Sequence, residues 1–161
     1  MKKIVIASDS HGSANALRRV LRAEPDADAF IFLGDGAQDL NGLSEEFPGL
    51  RIYHVLGNCD YALPGPEEGM VAFENVLFLC VHGHRYSVKT GLLALAESAH
   101  QRGADVALFG HTHIPELEQM EGVYLFNPGS VGRPPNGKPS YGVALCEKGE
   151  VKFQYKEVPA L

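Results

Sequence analysis

The chain has no apolar run approaching transmembrane length, no basic block and only three cysteines, and each lack removes a class of function. A membrane span needs about 20 consecutive apolar residues, and nothing here comes near that. Met1-Lys2-Lys3 leads straight into a strand-like run of about six residues, too short for the apolar segment of a secretory signal, so a cytoplasmic protein with no membrane partner is expected. The formal net charge is -6, and lysine and arginine are nowhere clustered. A broad nucleic-acid surface is therefore not expected, since that grip needs a basic face. Cys59, Cys80 and Cys146 are odd in number and lack zinc-type pair spacing, which suggests neither a disulfide framework nor a thiolate zinc site. Cys80 and Cys146 fall in apolar strand runs, where packing is their expected role. Repeats and dividing linkers are also missing, so residues 1–161 read as a single domain. The 45% hydrophobic and 21% charged content is that of an ordinary globular protein with a full core.

Strand and helix patterns alternate along the chain. Ile4-Val5-Ile6-Ala7 is a buried strand, and residues 13 to 23 follow as a helix with Ser13 as its N-cap. Ala29 to Leu33 is a continuous apolar run of the kind parallel strands show, and residues 38 to 47 read as a weaker helix. Arg51 to Leu56 forms a third strand. After a Pro/Gly-rich loop over 61 to 69, Met70–Glu74 and Val76–Val81 pair around Asn75. Thr90 to Arg102 is the clearest helix, stopped by Gly103, and Val106 to Phe109 is the next strand. The remainder is strand-rich, with 122–126, 140–146 and 151–156 as its strands and Glu147-Lys148-Gly149-Glu150 as a hairpin turn. Around the 61–70 loop, Tyr61, Leu63 and Met70 could form a contact surface in a homodimer or larger homo-oligomer.

Five strand ends carry metal-type ligands: Asp9 and His11, Asp35, Asn58, His82, then His111 and His113. Open α/β sheets place their chemistry at such ends. Any one of these groups has a plainer explanation. An isolated aspartate more often caps a helix or forms a turn, and alternating histidines can decorate a surface loop. Together they are too many for one ion, yet they suit two ions that share a carboxylate and keep positions open for water and substrate. Imidazole, carboxylate and amide oxygen without thiolate fit Mn, Fe, Zn, Ni or Mg better than structural zinc. Glycine beside Asp35, Asn58, His82 and His111 allows the tight turns on which several loops converge.

Asp9-x-His11, Gly34-Asp35, Gly57-Asn58-x-Asp60, His82-Gly83-His84 and Gly110-His111-Thr112-His113 resemble, in order and spacing, the calcineurin-like metallophosphoesterases. Size, the Asp-Ser-His-Gly start and Asn127-Pro128-Gly129-Ser130 are most similar to its small YfcE-like branch. The resemblance runs from residue 4 to about 147. It implies an α/β (α+β by some schemes) four-layer fold, with a central β-sandwich of mixed sheets flanked by helices. It also implies two divalent ions, with manganese the leading candidate. Asp9, His11, Asp35 and His113 would hold one, and Asn58, His82, His111 and the shared Asp35 the other. The activity implied is phosphodiester hydrolysis by in-line attack of a metal-bridging hydroxide, with Asp35, Asn58, Cys59, Asp60 and His84 as the catalytic set and a small phosphodiester as substrate.

One position departs from the family pattern. Many members carry histidine after the asparagine, where this chain has Cys59. A thiol is a weak donor and a poor substitute for an imidazolium, which favours diesters with activated or strained leaving groups over alkyl monoesters. Asp60 is expected to orient a neighbouring ligand rather than bind metal. His84 and Arg85 could face the substrate phosphate or close a turn, Arg133 reads as a solvated loop residue, and His54 and His100 read as structural. The alternatives are a non-catalytic scaffold on the same fold, as in the retromer subunit of the superfamily, and a phosphomonoesterase or nucleotidase.

Overall fold

A computed structural model describes all residues, 1–161. Two five-stranded mixed sheets stack face to face, with helices on their outer faces. The first sheet contains β1 (Lys2–Ala7), β2 (Ala29–Phe32), β3 (Arg51–His54), β9 (Ser140–Glu147) and β10 (Glu150–Glu157), in the order β10-β9-β1-β2-β3. The second contains β4 (Glu68–Phe73), β5 (Val76–Val81), β6 (Val106–Leu108), β7 (Glu116–Met120) and β8 (Val123–Asn127), in the order β4-β5-β6-β8-β7. Each sheet therefore holds three parallel strands, β1-β2-β3 and β5-β6-β8, edged by antiparallel ones. This is the expected four-layer architecture.

Three apolar cores follow from the strand pattern. Ile4, Ile6, Ile31, Phe78, Leu108 and Phe126 fill the space between the sheets. Because side chains alternate across a strand, Val5, Phe30 and Phe32 point the other way, onto Leu17, Val20 and Leu21 of α1 (Ala14–Ala23). Leu79, Ala107 and Leu125 likewise meet Leu95, Ala96 and Ala99 of α3 (Leu93–Gln101). Strands covered on both faces explain the unbroken apolar runs in the sequence. Cys80 and Cys146 are buried, whereas Cys59 is exposed.

Several local expectations need correction. Ser13 stands at the N-terminus of α1 but makes no side-chain capping bond. The helix expected over 38 to 47 is split into a 3-10 turn at Ala37–Leu40 and the single-turn α2 (Leu43–Glu46), because Gly42 enters the left-handed region at φ 84°. Helix α3 starts at Leu93 rather than Thr90, since residues 87 to 90 form a turn closed by Thr90 N–H and Oγ1–H to the Ser87 carbonyl. Strand β7 was not expected at all. The hairpins behave as read: Glu74-Asn75 and Lys148-Gly149 take positive φ at both positions, the two-residue loop that matches strand twist. Tyr61, Leu63 and Met70 are exposed, and no helix is long and apolar enough to cross a membrane.

Candidate metal centre

The carboxyl ends of the parallel strands from both sheets open on one side of the sandwich, and the polar turns after them converge there. Asp9 and His11 follow β1, Asp35 follows β2, Asn58 follows β3, His82 follows β5, and His111 and His113 follow β6. Asp9 Oδ1 lies 3.2 Å from His113 Nε2, 3.6 Å from His11 Nε2 and 3.8 Å from His82 Nε2. Asp35 Oδ2 lies 3.2 Å from His82 Nε2 and 3.8 Å from His11 Nε2. His11 and His113 bring their Nε2 atoms within 3.3 Å, and His111 Nδ1 sits 3.2 Å from His82 Nε2. The cluster thus resolves into Asp9–His11–His113 and Asp35–His82–His111, with Asp35 also close to His11.

Backbone geometry makes this convergence possible. Asp9, His11, Asp35, His111 and His113 all have positive φ, between 43° and 71°. That region costs a non-glycine residue about 1–2 kcal/mol, and such strain concentrates at functional sites. Two glycines permit the close approach: a Cβ on Gly57 would stand 2.2 Å from Asp35 Oδ1, and one on Gly110 would stand 2.1 Å from Ser8 Oγ.

Polar groups behind the cluster fix each side chain. Asp60 accepts N–H bonds from Asp35 (2.7 Å), Gly36 (2.9 Å), Ala37 (3.1 Å) and Gly57 (2.8 Å), so both its oxygens are occupied in tying the β2 and β3 loops together. With both oxygens so engaged, Asp60 is placed to orient the Asp35 turn. Asp35 Oδ1 accepts Cys59 N–H at 2.8 Å, leaving Oδ2 toward the histidines. His82 Nδ1 is 2.7 Å from the Leu33 carbonyl and His113 Nδ1 is 2.8 Å from that of Arg133. Each carbonyl requires the proton on Nδ1 and so frees Nε2 for the cluster. Ser8 Oγ donates to Asp9 Oδ2 at 2.5 Å, and the His111 N–H reaches the same oxygen at 3.1 Å. Asn127 Nδ2 donates to the Gly110 carbonyl and Thr112 Oγ1, while Ser130 Oγ donates to the Asp9 carbonyl. The turn at 127–130 therefore underlies both the Asp9 and the His111 loops. Ser8 and the Leu33 and Arg133 carbonyls had not been singled out, and backbone acceptors leave no side-chain signature to find.

Two buried side-chain atoms have no hydrogen-bond partner, His84 Nδ1 and, at the centre of the cluster, Asp9 Oδ1. Asp9 is fully buried, its Oδ2 is bonded, and its Oδ1 makes no hydrogen bond although three imidazole nitrogens surround it. A buried carboxylate oxygen left bare costs desolvation free energy, and a cation at that point would recover it. The residues present thus fit a divalent metal.

The charges agree. Burial works to raise the Asp35 carboxyl, but the hydrogen bond and charge of His82 with the Cys59 contacts hold it well below its usual range. Burial opposes charge on His82, yet Asp35 and Asp9 outweigh it and raise this imidazole. His113 is raised by its contact with Asp9, against burial. His111 is pushed down to about 4 by burial and by the charges of His82 and Lys89. Burial and the neighbouring Asp35 charge raise the Cys59 thiol.

Asn58 and Cys59 are exposed at the rim, with Asn58 Nδ2 3.6 Å from Cys59 Sγ. The Cys59 sulfur lies within 4.8 Å of ligand atoms of His11 and Asp35. His84 is half-buried, its ring 5.6 Å from that of His82 and 6.2 Å from that of His111, with Nδ1 unpartnered. Arg85 pairs with Glu67 at 2.7 Å on the exposed surface.

The Calcineurin-like phosphoesterase superfamily domain matches residues 1–149. YsnB of Bacillus subtilis, named a probable metallophosphoesterase, is 36% identical over 133 residues, which are 81% of this chain and 76% of that protein. The phosphodiesterase YfcE of Escherichia coli K12 is 33% identical over a gapped alignment of 168 positions that covers 89% of this chain and 87% of that one. Among solved structures, a Streptococcus pneumoniae protein described as a predicted phosphoesterase superposes with a TM-score of 0.82 at 24% identity, covering 97% of this chain and 89% of that one.

Proposed function

This chain belongs to the calcineurin-like phosphoesterase superfamily and is a phosphoric ester hydrolase that uses divalent metal, and on that premise we propose that it hydrolyses phosphodiesters at a two-metal centre. The observation that carries the reading is the bare, fully buried Asp9 Oδ1 amid three histidine nitrogens, beside a second carboxylate–imidazole group built on Asp35. Asp9, His11, Asp35 and His113 would hold one ion. Asp35, Asn58, His82 and His111 would hold the other. When bound, the ions supply an activated water for in-line attack and positive charge against the phosphoryl oxygens. Manganese is our choice of ion, from a nitrogen and oxygen donor set that also accepts iron, zinc, nickel or magnesium.

The chain's own residues set what else the centre does. The Asp60 carboxylate holds the Asp35 turn, and the Leu33 and Arg133 carbonyls keep His82 and His113 in the tautomer that presents Nε2. His84, its pKa lowered by burial and by the charge of His82, stands beside the rings of His82 and His111 at the edge of the cluster. Cys59 stands where a leaving-group acid would act, and a neutral thiol of raised pKa protonates an alkoxide poorly. Diesters with good leaving groups are therefore preferred to alkyl monoesters. The test is turnover with added Mn2+: hydrolysis of bis(para-nitrophenyl) phosphate well above that of para-nitrophenyl phosphate is expected. A protein that cleaves the monoester and leaves the diester intact would overturn the reading.

A further inference from the structure

A groove of about 680 Å3 adjoins the ligand cluster, between the Val88–Leu92 turn and the segment from Thr112 to Met120. Its volume falls within the range of about 300–1,000 Å3 typical of small-molecule sites. Thr112, the residue between His111 and His113, is part of its lining. Thr112 Oγ1 accepts from Asn127 Nδ2 at 2.9 Å and from Ile114 N–H at 3.2 Å, which leaves its hydroxyl hydrogen free to donate. Leu92, Ile114 and Met120 supply apolar wall, and Ile114 is 54% exposed. Lys89 is the only cation of the lining and makes no ion pair. Glu116 and Glu118 project from the same face of β7, two residues apart, close enough to hydrogen-bond each other, and without a basic partner; burial and the Glu118 charge raise the Glu116 carboxyl.

Resting on the phosphodiesterase reading above, we propose that this groove is the subsite for the bulkier substituent of the diester, and that it selects a nucleoside-sized organic group carrying no further phosphate. Thr112, which lies between the ligands His111 and His113, ties the groove to the cluster and makes it the neighbouring surface for a substituent of a phosphate seated there. Lys89 brings the groove its positive charge, complementary to the anionic diester. The apolar wall takes a flat ring or hydrocarbon, and the two carboxylates accept from sugar-type hydroxyls, as acidic residues do in nucleotide sites. A second phosphate would meet Glu116 and Glu118, and like charges there reject it.

Three chromogenic diesters with one leaving group test this in the Mn2+-supplemented full chain: methyl para-nitrophenyl phosphate, the para-nitrophenyl ester of thymidine monophosphate, and that ester with an added phosphate on its other sugar hydroxyl. The wild type should bind the thymidine ester with lower KM than the methyl ester and disfavour the added phosphate by about fivefold, the upper range for an exposed charge contact. Glu116→Gln with Glu118→Gln should bring the two thymidine esters near parity. Ile114→Trp should raise KM for the thymidine ester about tenfold relative to the methyl ester, whereas mere loss of structure lowers turnover of both together. Discrimination that neither variant alters, or a preference for the added phosphate, would overturn the subsite while leaving the diesterase reading in place. A wild type that cleaves none of the three would overturn both.

Discussion

Asp60→Ala removes no proposed metal ligand, yet it should unsettle the whole centre. The Asp60 carboxylate is 5% exposed and takes four backbone N–H bonds of 2.7–3.1 Å from Asp35, Gly36, Ala37 and Gly57. Hydrogen bonds to a charged group contribute about 1.5–3 kcal/mol each, which puts the ceiling at roughly 6–12 kcal/mol. The bonds share one carboxylate, and Gly36 and Ala37 are only half-buried, so water can reach part of the vacated space. A loss of about 3–4 kcal/mol remains, large for a single substitution. Urea denaturation of the metal-free protein should show it as a lower midpoint at unchanged slope. Asp60→Asn keeps one acceptor but turns an amide N–H2 toward N–H donors, and should fall between wild type and alanine. Affinity for Mn2+ should weaken in the same order, because the Asp35 turn is what the carboxylate holds. A stability change under about 1 kcal/mol with unaltered metal affinity would refute the scaffold role assigned to Asp60.

Two further outcomes follow from other parts of the molecule. Glu24 is buried beneath the first sheet, where Lys156 and Tyr141 bond to one oxygen and Lys3 pairs with the other. Burial would raise its pKa from 4.5, but these partners outweigh that and lower it; its stabilisation is therefore complete above the unfolded value and lost as pH falls through the lower folded one. The wild type should lose stability over that acid range, and Glu24→Gln should flatten the dependence in pH-resolved thermal melts, where identical slopes would contradict the assignment. Cys59→His, which places an imidazole at the rim, should raise monoester turnover relative to diester turnover. An unchanged ratio would show that this position does not set leaving-group preference.

The parts of the site written as side chains in short local patterns were legible in the sequence. Asp9, His11, Asp35, His82, His111 and His113 each follow an apolar run, and the two-sheet architecture brings those strand ends to one place. What the pattern does not encode is conformation: aspartate and histidine enter the left-handed region more readily than most side chains, but still only in a minority of cases, so residue type alone does not mark which of these ligands take positive φ. Carbonyl partners such as Leu33 and Arg133 are equally silent, because every residue carries one. Strand β7 escaped because Glu-Leu-Glu-Gln-Met is an exposed edge strand with little apolar surface, so its only signal is its pairing with β8. The start of α3 was misplaced for the opposite reason. Leu92 is buried against the second sheet but precedes the helix, and burial alone does not distinguish a packed turn from a first helical residue.

The central claim is that Asp35 joins two metal positions in one centre. Titration of metal-free protein with Mn2+, followed calorimetrically for wild type and Asp35→Asn, tests it most directly. The account predicts about two equivalents bound by the wild type, as a two-metal site requires, and loss of most binding in the variant. A wild type that takes up one equivalent or none, or a variant that still binds two, would contradict it.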